Sequence, residues 1–225
     1  WILSRLQQTI QQVTKSLDDF LFNEAANTIY DFLWHDVCDW YLEITKVQLA
    51  QTSDIRHQTS DLKILVHVLE TSLRLLHPVM PFVTEELWQR LQPQAGSIMV
   101  APWPKPNKAL VNEEAETLFE QFKAVVAAIR NTRAELNVPL GSRPAIHLSS
   151  AKPAVRAFFE SHRALLQALA QAGDVNISAS RQSLRQAAAA VVDGVEVLIP
   201  LAGLIDTEQE QKRLQQRIDE RTKHL

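Results

Sequence analysis

Glycine is scarce in this chain: only 5 of its 225 residues are glycine, where an average protein uses about 7%. Phosphate-cradling loops of the G-x-x-x-x-G-K-[ST] and G-x-G-x-x-G types need glycine at fixed positions, and neither pattern occurs. Tight hairpins also use glycine, so the composition favours helices. A single cysteine, Cys38, excludes an internal disulfide and a cysteine-based zinc site, and it suits a reducing compartment such as the cytoplasm.

Apolar residues that recur every three or four positions predict helices over the first half of the chain. Asn23 is predicted to cap the second helix. Pro78 and Pro81 are predicted to end the third, because proline lacks a backbone donor and clashes with the preceding turn. A long helix is predicted from near Asn112 to Pro139. The predicted core stripes of the first, second and long helices are Leu3, Leu6, Ile10, Val13, Leu17 and Phe20; Ala26, Ile29, Leu33, Val37, Trp40, Ile44 and Val47; and Leu118, Phe122, Val125, Ile129, Thr132 and Leu136.

The pattern changes after Arg143, where alternating apolar residues predict strands and a helix is predicted over 155–169. Asp193-Gly194 is the preferred two-residue hairpin turn, since both of its residues need positive φ. This order of elements predicts a small α+β unit, followed from Leu204 by a charged helix. The predicted strands cover 98–100, 145–149, 174–178, 187–192 and 195–199.

The long helix carries the clearest candidate pattern for nucleic-acid binding. Lys123, Arg130 and Asn137 recur along one stripe with alanines between them, and Arg133 lies beside that stripe. Small residues flanked by long donors let a phosphate backbone approach closely. The alternative is that this helix, acidic in its first half and basic in its second, only complements its own dipole. The pattern leaves both readings open.

A second candidate lies on the second helix, where Tyr41 and Lys46 bring together an aromatic ring and a cation. An exposed ring of this kind can stack on a nucleobase. Trp40 falls on the apolar stripe and is predicted to be buried, whereas Trp34 and Tyr41 lie off it and are predicted to be exposed. Arg56 adds a further cation in the polar segment that follows.

Carboxylates and histidines offer weaker signals for chemistry. Asp31, Asp36, Asp39 and Glu43 lie close together on the second helix and could serve acid–base catalysis or Mg²⁺, but the pattern favours a solvated face. No two of the seven histidines have the helical spacing of metal ligands. We therefore predict no catalytic and no metal-binding residue.

Several longer strings resemble the helical domain of the class I aminoacyl-tRNA synthetases. The ending LAGLID at 201–206, before a charged helix, resembles the valyl-tRNA synthetases within that class. The other strings that carry the resemblance are FNEAA at 22–26, CDWYLE at 38–43, LHPVMPFVTEELW at 76–88 and IRNTRAELNVP at 129–139.

The resemblance implies a mainly α fold with three parts. Residues 1–137 would form an antiparallel helical bundle of the anticodon-binding type that lacks its first helix. Residues 138–200 would form the small α+β connector, and residues 201–225 would begin a C-terminal coiled-coil arm. The catalytic signatures of the H-I-G-H and K-M-S-K-S types and the editing domain would lie upstream, which agrees with a chain that starts at Trp1 rather than at methionine.

The implied function is binding of the tRNA(Val) anticodon stem-loop by a non-catalytic part of a monomeric cytoplasmic ligase. The parent enzyme would attach valine to tRNA with ATP and Mg²⁺ and would hydrolyse mischarged threonyl-tRNA, while this part would hold no cofactor itself. Its partners would be the tRNA and the upstream catalytic domain, and no membrane, because no run of about 18 apolar residues occurs. The residues that we expect to contact tRNA are Arg130, Arg133, Lys123, Asn137, Lys46, Arg56 and Tyr41.

Two other functions remain open at this point. One is the anticodon-binding region of the isoleucyl- or leucyl-tRNA synthetases, which the charged helix after Leu201 disfavours. The other is a helical protein-interaction scaffold without an RNA role, which the net charge of −3 supports.

Overall fold

The structure is a computed structural model that describes residues 1–51, 54–139, 141–180, 182, 184 and 186–201. The chain divides into two compact units, one over Trp1–Thr117 and one that begins at Leu118. The fold is mainly helical with a small mixed sheet, as predicted. The elements of the first unit are α1 (Ile2–Asp18), α2 (Phe22–Asp31), a π-helix (Phe32–Tyr41), α3 (Leu42–Gln51), α4 (Ile55–Leu76), α5 (Pro81–Leu91), two short 3₁₀ turns (Ile98–Val100 and Lys108–Leu110) and the start of α6 (Glu113–Glu135).

The core of the first unit forms around α1. Leu6, Ile10 and Val13 are buried on its inner face, as their spacing predicts, and they pack with Ile29 of α2 and Val68 of α4. Burying aliphatic side chains of this size contributes about 1.5–3 kcal/mol each to folding. The hydrophobic effect therefore holds these helices together.

The connections in this unit depart from two sequence predictions. Asn23 does not cap α2, because that helix already begins at Phe22. The strand predicted over 98–100 is a 3₁₀ turn in which the Ser97 hydroxyl accepts a hydrogen bond from the Met99 amide. A run of three apolar residues satisfies its backbone more readily in a turn than in an unpaired strand.

The second unit contains the end of α6, then β1 (Ile146–Ser149), α7 (Pro153–Ser161), α8 (Arg163–Ala170), β2 (Val175–Ser178), β3 (Ala187–Val192) and β4 (Val195–Pro200). The sheet order is β2-β1-β4-β3, with β1 and β2 parallel and the other two pairs antiparallel. The helix predicted over 155–169 is interrupted at His162 and forms α7 and α8.

The β3–β4 hairpin confirms the most specific local prediction. Val192 pairs with Val195, and the two residues between them, Asp193 and Gly194, have φ of 48° and 78°. Both angles lie in the left-handed region that this two-residue turn requires. Its tip is held further by Gln121 of α6, whose Nε2 donates to the Asp193 carbonyl.

At three helix ends, residues other than glycine adopt the positive φ that glycine usually supplies. The residues after α1, α6 and α8 that adopt positive φ are Phe20, Asn137 and Gln171. After α6, the Val138 amide donates to the Arg133 carbonyl and the Asn137 amide to that of Ala134, which is the Schellman arrangement. The amides after α1 and α8 bond in the same way. Positions where glycine is usual are thus held by larger residues.

The division at Thr117 falls within α6, whereas the sequence places its first boundary after Asn137. The three-part division therefore stays a prediction. The C-terminal helix predicted from Leu204, and the coiled-coil arm predicted over 201–225, lie outside the described residues apart from Leu201. Within the described ranges, no helix has the length and apolar character needed to cross a membrane.

Candidate nucleic-acid interface

Arg133, a first choice from the sequence, lies buried on α6 with 7% of its surface exposed. Its Nη1 donates to the carbonyls of Ala170 and Gln171 at 2.8 and 2.9 Å, and its Nη2 donates to that of Ser142 at 3.0 Å. Burial lowers the pKa of the guanidinium from its usual value. These contacts give Arg133 a structural role in the second unit.

Arg130 lies one helical turn earlier and is exposed. Its Nε and Nη2 both donate to the Leu169 carbonyl, at 3.0 and 2.8 Å. The last carbonyls of a helix have no partner within it and carry partial negative charge. The two arginines therefore cap the C-terminal end of α8, which explains their spacing without any nucleic acid.

The other two predicted residues of α6 differ in exposure. The Lys123 side chain is only 14% exposed, and its Nζ lies 2.6 Å from Glu120 Oε1. Asn137 is exposed just beyond the helix, where its φ of 50° forms the Schellman arrangement described above. An asparagine tolerates this conformation better than most residues. The stripe thus combines ion pairing, helix capping and helix termination.

In the first unit, Lys46 and Arg56 are exposed. The Lys46 Nζ pairs with Glu43 Oε1 at 2.5 Å, and its side chain keeps 68% exposure. The Arg56 amide donates a hydrogen bond to the N-capping carboxylate of Asp54 at the start of α4, while the Arg56 side chain is exposed. Ion pairs between side chains this exposed contribute little to stability. The charge of Lys46 therefore does little to stabilise the fold.

Tyr41 is buried, with 8% exposure, so the prediction that it lies on the surface is wrong. The cause is the π-helix, whose bonds run from residue i to i+5 and shift the buried face relative to an α-helix. Phe32, Val37 and Tyr41 are buried at spacings of five and four, and Trp40 is only half-buried. Burial raises the pKa of Tyr41.

Trp34 is exposed, as predicted, and its ring stacks on that of Tyr30 with centroids 6.2 Å apart and planes at 4°.

Asp36, predicted to be solvated, is instead 5% exposed. Its Oδ2 lies 2.9 Å from Nε of Arg5 on α1. The reading of all four carboxylates as one solvated face is therefore wrong for Asp36. Within the described residues, no three His, Cys, Asp or Glu side chains converge as metal ligands would.

A polar cleft of about 480 Å³ lies between α1 and α2, and sequence reasoning did not predict it. Its signal was the pair of Gln-Gln repeats in L-Q-Q-T-I-Q-Q-V, whose outward residues fall between the apolar positions. The side chains that dominate its lining are Arg5, Gln8, Gln11, Gln12 and Lys15 of α1 and Thr28 of α2.

Comparison with known families decides what kind of domain this is. Residues 1–148 match the family model described as the anticodon-binding domain of tRNA ligase. The chain belongs to this family. Its anticodon-binding match covers all described elements of the first unit and continues through α6 to β1.

Curated relatives of this anticodon-binding chain are valine–tRNA ligases. The chain is 40% identical to that of Geobacillus stearothermophilus over 219 residues, which is 97% of the chain and 25% of the relative. It is 38% identical to that of Enterococcus faecalis and 35% identical to that of Oceanobacillus iheyensis, in each case over its whole length and about a quarter of the relative. The predicted resemblance to the valyl-tRNA synthetase anticodon-binding region is confirmed, and the chain spans about a quarter of these relatives.

Proposed function

We propose that this chain binds the anticodon stem-loop of a valine tRNA as the C-terminal part of a valine–tRNA ligase. The observation that carries the proposal is the match of residues 1–148 to the anticodon-binding domain. The identity of about 40% to valine–tRNA ligases points to the tRNA concerned. The parent enzyme would attach valine to tRNA with ATP and Mg²⁺ and would edit mischarged threonine through other parts of its chain.

The proposal extends to the finer architecture and cellular setting. The helices of residues 1–137 would form an antiparallel bundle of the class I anticodon-binding type, the α+β unit over 138–200 a connector, and residues 201–225 the start of a coiled-coil arm. The parent would act as a cytoplasmic monomer, with the upstream catalytic domain as this chain's second partner.

Among the predicted contact residues, we propose that Lys46, Arg56, Arg130 and Asn137 reach tRNA, since their side chains are exposed. Lys123 is a weaker candidate because its side chain is mostly covered. Arg133 and Tyr41 would support binding only by holding the fold. Affinity would come mainly from phosphates, with unstacked bases adding specificity.

Fluorescence anisotropy of a labelled tRNA(Val) transcript, titrated with the chain at several salt concentrations, tests the proposal. We expect a dissociation constant that rises with salt, with a log–log slope that reflects the number of phosphate contacts. A second transcript is the same tRNA(Val) with its anticodon replaced by that of isoleucine. Tighter binding of the unchanged tRNA(Val) would favour a valyl-tRNA synthetase over an isoleucyl-tRNA synthetase. Absence of binding at 50 mM salt would support the scaffold alternative and overturn the proposal.

Two substitutions separate contact from folding. Asn137→Gly keeps the positive φ but removes the amide, and Lys46→Gln removes an exposed charge without uncovering a core residue. We expect each to weaken tRNA binding by about threefold or more while leaving the unfolding midpoint near that of the wild type. Unchanged affinity in both variants would remove these residues from the interface.

A further inference from the structure

The cleft between α1 and α2 has the size and the chemistry of a site for a polar ligand. Its volume of about 480 Å³ falls within the range of roughly 300–1,000 Å³ typical of small-ligand sites. Most small-ligand sites have mainly apolar walls, whereas the wall of this cleft is polar. The described residues that line it supply two cations, three side-chain amides and two hydroxyls, with no carboxylate among them.

The inner wall of the cleft is held in place by contacts within the first unit. Arg5 donates through Nε to Asp36 and through Nη1 to Gln8 Oε1, at 2.9 and 3.0 Å. Gln8 Nε2 in turn donates to both carboxylate oxygens of Glu116, at 2.9 and 2.8 Å. Because these side chains are already oriented, a ligand would not need to order them, which lowers the entropic cost of binding.

The outer wall is available to a ligand. Gln11, Gln12 and Lys15 are exposed, and Gln12 donates a long hydrogen bond of 3.4 Å to the Ser16 hydroxyl. Asp36 pairs with Arg5, and the Glu116 carboxylate is bound by Gln8 on the inner wall. Lys15 is therefore the exposed cation that the outer wall offers to an anionic group.

These features match the parts of a nucleotide. A phosphate would meet the Lys15 ammonium, and the edge of a base would meet the glutamine amides, which both donate and accept hydrogen bonds. A base can enter such a concave site only when it is unpaired, since the bases of an RNA duplex face a deep, narrow groove that side chains cannot read. A stem phosphate alone would not use the amides.

We propose that the α1–α2 cleft binds one unpaired nucleotide of the tRNA, with Lys15 on its phosphate and Gln11 and Gln12 on its base. This inference rests on the proposed function, because it assumes that the chain binds tRNA. The proposed site reads a base from α1, a helix on which the sequence predicted no residue that contacts tRNA.

The experiment compares Lys15→Gln and Gln11→Ala with the control Lys63→Gln, which removes an exposed lysine from α4. The probe is a fluorescein-labelled anticodon stem-loop of tRNA(Val), and the second probe is the same stem as a blunt duplex. We expect Lys15→Gln to weaken stem-loop binding by about three- to tenfold and to reduce the salt slope by about 0.7. Gln11→Ala should weaken binding without changing the slope, and Lys63→Gln should change neither.

The outcomes distinguish the inference from the proposed function. If the wild-type chain binds the stem-loop but both cleft variants bind like Lys63→Gln, the cleft is not a nucleotide site and the proposed function stands. If Lys15→Gln weakens the duplex as much as the stem-loop, Lys15 contacts a stem phosphate and the unpaired-nucleotide assignment fails. If Lys15→Gln lowers only the unfolding midpoint, Lys15 serves the C-terminal end of α1 instead. If the wild type binds neither probe, the proposed function fails first.

Discussion

The Nη1 atom of Arg133 lies 2.8 Å from the carbonyl oxygen of Ala170, 37 positions later in the chain. Both residues are buried, so this bond is shielded from water. A charged donor bound to a backbone carbonyl contributes more than a neutral one, and it satisfies a carbonyl that α8 itself leaves without a partner. The arginine predicted to contact RNA thus fastens α6 to the end of α8.

Replacing Arg133 with methionine should lower the free energy of unfolding of the second unit by about 3 kcal/mol, since the buried Ala170 carbonyl and the partly buried carbonyls of Gln171 and Ser142 lose this donor. Arg130→Met should cost only about 1 kcal/mol, because Arg130 is exposed and its bonds to the Leu169 carbonyl are only partly buried. Urea denaturation followed by circular dichroism measures both. Arg133→Lys should not rescue stability, because a lysine cannot bridge carbonyls in several directions from one planar group. Equal, small effects of the two methionine variants would contradict the structural role.

Gln171→Gly should raise stability by about 0.5–1 kcal/mol. A residue with a Cβ pays about 1–2 kcal/mol in the left-handed region that Gln171 occupies at φ 50°, and the added chain entropy of glycine offsets part of the gain. Gln171→Ala is the matched control, since it removes the same side chain but keeps the Cβ. A thermal unfolding curve in which both variants shift equally would show that the backbone strain is absent.

Gly173→Ala should destabilise the second unit by about 2 kcal/mol, as overpacking does. A Cβ at this position would lie 2.6 Å from the Arg143 carbonyl oxygen, which is backbone and cannot rotate away. The Gly173 amide also donates to the Pro144 carbonyl, which fixes the approach of the two segments. Gly141→Ala is the control, because nothing lies within 4 Å of its added Cβ. Urea midpoints that fall equally for both would contradict the close approach.

Tyr41→Phe should reduce the loss of stability at alkaline pH. Burial raises the pKa of Tyr41, helped by the charge of Asp61 and opposed by a hydrogen bond with Thr45. In the unfolded chain the phenol ionises near pH 10. Above that pH the unfolded chain releases a proton that the folded chain retains, so stability falls as pH rises through this window. Urea denaturation between about pH 9 and pH 11.5 should give a shallower decline for Tyr41→Phe than for the wild type. Parallel declines would contradict the assignment.

Much of the fold follows from local signals. The spacing of Leu6, Ile10 and Val13 predicts α1 and its buried face, because the apolar stripe of a helix must lie against another element. Asp193-Gly194 predicts its hairpin because few other pairs tolerate positive φ at both positions. The strand–helix–strand order predicts the α+β unit. In each case the deciding physics lies within a few neighbouring residues.

The candidate site follows much less from the sequence. The Arg130–Arg133 spacing fits a phosphate-binding stripe and a helix cap equally well, and only the position of the α8 carbonyls favours the cap. Tyr41 is misplaced because a π-helix changes the period on which a stripe is drawn. The cleft arises because α2 packs beside α1 and encloses residues that a single helix would leave on an open face.

By itself, the sequence determined the helices of the first half, the hairpin and the family to which the chain belongs, since these depend on local spacing and on long matching strings. Only the tertiary structure decided that Arg133 and Tyr41 are buried, that Asp36 pairs with Arg5 and that the amides of α1 line a cleft. The reason is physical: whether a polar side chain meets water, a carbonyl or an ion partner depends on residues far along the chain, and no local pattern records them.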